Sequence, residues 1–132
     1  MVNFNILEKL ENHQLWLISD GENGQLADFS YENLSGLDLS GSDLKKANLN
    51  ATNMEAAVLE KADLRETNLQ SAHLEEADLL WANLQGSNLD GANLRNANLS
   101  FACLNNCSLK KADLRGADLR GATWNNANFS DF

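Results

Sequence analysis

A β-solenoid closed at its start by an α-helical lid is the fold class the sequence predicts, and two observations carry it. A large apolar residue recurs every five positions from Phe29 to Phe129, 21 times without a slip in register, and 17 of the 21 are Leu. A small residue stands two positions before it in 19 of the 21 cases, usually Ala, as at Ala47, Ala62, Ala77, Ala92 and Ala112. On a straight α-helix, five residues advance about 500°, so the leucines would scatter around the axis. On a straight strand, an odd period sends them to alternate faces. The small and large positions are two apart and share a face within three extended residues, with the Asp or Asn between them pointing outward. If the remaining two residues turn a corner, every unit points its Ala and Leu inward. The chain then winds around a central column that no single unit could bury alone.

Composition agrees with a repeat. Of 132 residues, 24 are Leu, 19 Asn and 16 Ala, and Pro is absent. A hydrophobic fraction of 43% argues against disorder. The net charge of −9 disfavours direct binding to nucleic acid or to an anionic membrane. No apolar stretch approaches the ~20 residues of a membrane span, and Met1–Leu10 lacks the basic start of a signal peptide. The expected setting is cytoplasmic. Charge is unevenly spread: residues 1–90 hold 16 acids and 5 bases, residues 91–132 hold 3 acids and 5 bases. That polarity predicts either a monomer or weak end-to-end self-association, with Glu75 and Arg95 expected to pair from adjacent coils.

The unit Ala-(Asp/Asn)-Leu-x-x, running from about Ala27 to Asn128, resembles the pentapeptide-repeat family. The resemblance implies a right-handed quadrilateral β-helix of about five coils, with twenty residues per coil. Glu32 and Leu37 stand where small residues are the rule, which points to irregularity in the first coil. Residues 1–26 form a distinct segment, and residues 27–132 form the repeat. Asn5-Ile6-Leu7-Glu8 reads as a capping box, and Ile6, Leu7, Leu10, Trp16 and Leu17 give an apolar flank to a helix over about 6–18. Asp20 to Gly24 ends it, with Gly21 as a left-handed cap. At the far end Trp124, Phe129 and Phe132 are read as a bulky plug.

No catalytic motif is present, and no cofactor or metal is expected. His13 and His73 have no sequence-predictable partner and read as surface residues. Cys103 falls at an outward position and Cys107 at an inward one, which argues against a disulfide. The Asp and Asn ladder reads as side chains bonded to neighbouring backbone at the corners rather than as a cation site. One group departs from the pattern. Trp81 and Phe101 are outward corner residues one coil apart, Leu80 adjoins Trp81, and Val58 replaces the usual Asp or Asn. Val58, Leu80, Trp81 and Phe101 are therefore the candidate protein-interaction residues. The expected function is a non-enzymatic, rigid scaffold for an unidentified protein partner. The resemblance supplies an alternative, a DNA mimic acting on a topoisomerase or another DNA-handling enzyme, since some relatives match duplex DNA in size and charge.

Overall fold

The protein is described here by a computed structural model over residues 4–130. Helix α1 spans Phe4–Ile18 and buries Ile6 and His13. Its end is capped as expected in kind, with Asp20 and Gly21 both at positive φ. The Gly21 N–H returns to the Trp16 carbonyl at 2.8 Å, the six-to-one bond of a Schellman cap. Gly24 is required for close approach: at φ +74, a Cβ there would lie 2.2 Å from the Asn12 carbonyl oxygen.

Beyond α1, the described residues contain no strand and no sheet. The expected all-β solenoid, the right-handed quadrilateral β-helix, is corrected on this point. The chain from Ala27 to Ser130 is turn and connecting loop, punctuated by single bridged residues. Each unit gives two residues to a turn whose second central residue has positive φ, as at Lys61, Trp81 and Phe101. Only the Asp or Asn position is left to bridge, so no run of successive paired residues can form.

The bridges are parallel and join residues twenty apart, from Asp28 and Asn48 to Ser108 and Asn128. The units therefore stack in coils of four. Each bridge residue receives and gives backbone bonds: Asn48 N–H donates to the Ala27 carbonyl at 3.0 Å, and Leu49 N–H to the Asn68 carbonyl at 2.7 Å. Inside lie the leucines and alanines, with Leu64, Leu84 and Leu104 wholly shielded from solvent. Polar residues at small positions are satisfied within the wall. Thr52 Oγ1 donates to the Phe29 carbonyl, Thr67 Oγ1 to the Leu64 carbonyl, and Cys107 Sγ to the Leu84 carbonyl.

The first coil keeps the register. Leu37 is buried, while Glu32 turns outward and pairs with Lys9 of α1. Lys9 also donates to the Asp28 carbonyl, so the lid is tied to the coil it covers. His13 is not at the surface. It is fully buried between lid and coil, and its Nδ1 accepts the Ala27 N–H at 3.1 Å. At the other end the plug is corrected as well: Trp124 is 47% exposed, Phe129 is only partly buried, and Phe132 lies outside the described residues.

Candidate functional site

Every corner is a tight turn closed by a bond from the residue after it, such as Ala82 N–H to the Leu79 carbonyl at 2.9 Å. Positive φ at the second central residue is the type II pattern, which glycine adopts most readily. The preceding Asp or Asn reinforces the turn through its side chain. Asp78 Oδ1 accepts from Leu80 N–H at 3.1 Å, and Asn93 Oδ1 from Arg95 N–H at 3.1 Å. This is the short local bond that such side chains make in turns.

One corner breaks the polar rule. Its second central residues, coil by coil, are Gly41, Lys61, Trp81, Phe101 and Gly121. Trp81 and Phe101 stack with ring centroids 4.7 Å apart and planes 13° from parallel. That separation matches the rise between coils, so the backbone itself sets the stacking distance. Trp81 is 55% exposed and Phe101 is 48% exposed despite the stack. The lower face of Phe101 rests on Gly121: a Cβ there would lie 2.4 Å from the ring. Leu80 is half-buried beside Trp81 on the same corner. Val58 is half-buried on the wall leading into this corner, bridged to Asp78. The valine has no oxygen to offer the turn that follows it, so this position gives up the side-chain bond that Asp78 makes one coil on.

Charged groups share this corner: Lys61 stands one coil before Trp81, and the Arg120 carbonyl accepts the Phe101 N–H at 2.9 Å. Asp113 and Asp118 are each held down to about 2 by hydrogen bonds from Arg115 and Arg120. Burial pushes the Cys107 thiol up and His13 down. Glu75 does not reach Arg95; it accepts from Asn93 Nδ2 at 2.6 Å and lies 3.4 Å from His73 Nδ1. Both cysteines are free. Among the described residues no group of His, Cys, Asp and Glu could hold a metal ion, and no helix is long and apolar enough to cross a membrane.

A chain of five-residue units, bridged every twenty residues around a leucine column, belongs to the class of stacked-coil repeat proteins. The sequence model of pentapeptide repeats matches residues 25–60, 45–79, 72–110 and 112–131, and the chain belongs to the pentapeptide-repeat family. Within that family its described residues depart from the expected β-helix in carrying bridges without sheets. Among solved structures it is similar to the pentapeptide repeat protein Rfr23 from the cyanobacterium Cyanothece 51142, at 40% identity and a TM-score of 0.70, over 70% of this chain and 64% of that one. It is also similar to HetL, a pentapeptide repeat protein involved in heterocyst differentiation regulation in the cyanobacterium Nostoc sp. strain PCC 7120. That match has 34% identity and a TM-score of 0.51, over 79% of this chain and 52% of HetL. The chain thus spans less than two thirds of the length of either relative. A trypsin-treated form of QnrB1, a plasmid-mediated fluoroquinolone resistance protein, matches at 20% identity and a TM-score of 0.57, over 77% of this chain and 59% of that one, a likeness of fold alone. A search of curated proteins gave no match.

Two functional expectations fall with the sheet. The rigid β-helical scaffold needed continuous sheet walls, and the described residues form none. The DNA mimic needed the same walls carrying uniform negative charge. Instead Lys45 lies 3.5 Å from Asp43, Arg65 2.7 Å from Asp63, and Lys46 3.9 Å from Glu66, so basic side chains interrupt the acidic half.

Proposed function

We propose that the chain is a protein-binding module that engages its partner at a turn corner, with Trp81 as the anchor, Phe101 as its support, and Leu80 and Val58 as the apolar margin. The stacked, half-exposed Trp81 and Phe101 pair carries this reading. A corner residue at positive φ is costly for any side chain except glycine, by about 1–2 kcal/mol. Here that conformation holds two large rings in water, where a glycine or a short polar residue would complete the same turn. An aromatic pair fixed by the backbone loses little further freedom on binding, and Trp contributes the largest area per side chain at protein contacts.

The test is affinity capture with the full chain, wild type against Trp81→Ala with Phe101→Ala. Both rings point outward, so the variant should melt within a few degrees of wild type and lose the captured protein. Capture undiminished in a folded double variant refutes the reading, and a variant that unfolds shows the rings to be packing.

A further inference from the structure

The outer face of the lid offers a second apolar surface, separate from the corner. At 100° per residue, Phe4, Leu7, Glu11, Leu15 and Ile18 fall within an arc of about 80° on α1, opposite buried Ile6 and His13. The four apolar members are exposed: Phe4 81%, Leu7 49%, Leu15 46% and Ile18 77%. Nothing in the coil column requires apolar residues on this side, because Ile6, His13 and Leu10 already face the column.

We infer that this face joins a second copy of the chain, lid to lid, through antiparallel packing of the two α1 helices about a two-fold axis at Glu11. The pattern is self-complementary in that register, as an isologous contact requires. Phe4 packs against the partner's Ile18 and Leu7 crosses the seam to the partner's Leu15, while Glu8 and Gln14 fall at opposite margins. Only Glu11 meets its own kind. A parallel pairing would set the two helix dipoles side by side in the same sense, which the antiparallel one avoids.

The area is sufficient for a weak dimer. With ~200 Å² for a Phe side chain and ~170 Å² for each aliphatic one, the exposed fractions leave roughly 450 Å² of apolar surface per copy. Two copies, with the stems of Glu8, Glu11 and Gln14 at the margin, reach about 1,000 Å² in total, the lower limit of a specific interface. The axial Glu11 pair keeps affinity low, since two carboxylates brought together disfavour joint ionisation.

Sedimentation velocity of the full chain from micromolar to several hundred micromolar tests this. The wild type should pass from monomer to dimer within that range and hold or tighten as salt rises, because the contact is apolar and screening eases the Glu11 pair. Ile18→Glu, or Phe4→Glu at the other end of the stripe, should leave monomer only, with the melting curve confirming a folded chain. Glu11→Leu should tighten the dimer at least tenfold. A wild type that stays monomeric throughout overturns the inference. So does a dimer unmoved by either Glu substitution on the stripe, or one that dissolves in high salt. A Glu11→Leu chain that dimerises no better than wild type overturns the register.

Discussion

Replacing Gly121 by alanine drives a methyl group into the floor of the aromatic stack. The added Cβ would stand 2.4 and 2.5 Å from Cδ1 and Cε1 of Phe101, against an ordinary carbon contact of about 3.5–4.0 Å. The ring must therefore shift by about 1 Å or more, which opens its 4.7 Å stack on Trp81. Gly41 is the control in the same column: its φ of +69 is close to the +75 of Gly121, and a Cβ there meets nothing within 4 Å. Gly41→Ala should cost only the left-handed backbone term, about 1–2 kcal/mol. Gly121→Ala should cost that and the stack, a further ~0.5–1.5 kcal/mol. At ~2.1 cal/mol/K per residue, the extra loss lowers Tm by about 2–5 °C beyond the control. The assay is paired thermal melts with near-ultraviolet dichroism of the rings. In a Phe101→Ala background the two glycine variants should become equal, which closes a double-mutant cycle on the stack. Equal melts in the wild-type background, or a difference that survives removal of Phe101, would refute the argument that this glycine exists to seat the ring.

Leu84→Ala, in a central coil and wholly shielded from solvent, should cost about 2–5 kcal/mol in urea unfolding, because leucines above and below hold the cavity open. Val58→Asn restores an acceptor for the following turn and should stabilise by about 0.5–1.5 kcal/mol by the same measurement. Stability should also fall as pH drops below about 6.5, where an unfolded histidine takes a proton that buried His13 resists. Desolvation outweighs the opposing pull of Asp43 and the Lys45 backbone, so the loss should continue down to the lowered native value, and His13→Asn should flatten this window. Asp113 and Asp118 act at the acid extreme. Their contribution is complete above the ordinary carboxylate range and is lost as pH falls towards about 2, a step that Arg115→Gln with Arg120→Gln should shrink, the backbone N–H bonds to both carboxylates remaining.

The inward and outward positions, the lid helix and the unpaired thiols were all legible in residue order, because a side chain's size and polarity declare its side of the wall. His13 was not. A histidine on a lid helix reads as exposed until the coil beneath offers the Ala27 N–H to its ring. Trp124 erred the other way, since among the described residues no coil stacks beyond this inward register position to shield the indole. Of the candidate site, the departure of Val58, Leu80, Trp81 and Phe101 from the repeat was visible in sequence. The part played by Gly121 was hidden, because one glycine in a turn looks like any other until a ring is seen to lie on it.

Sequence alone determined the five-residue register and the family, because each unit repeats one demand: two side chains in, one out, two turning. Tertiary structure decided what that register becomes. Two turn residues in every five leave one bridge and no strand, so the described residues form no regular sheet although the polar ladder runs from Asp28 to Asn128. Pairings across coils were likewise settled only in space. Glu75 found Asn93 rather than Arg95, and Trp81 met Phe101 face to face, because hydrogen-bond reach and ring orientation depend on the coil's actual path and not on the count of residues between them.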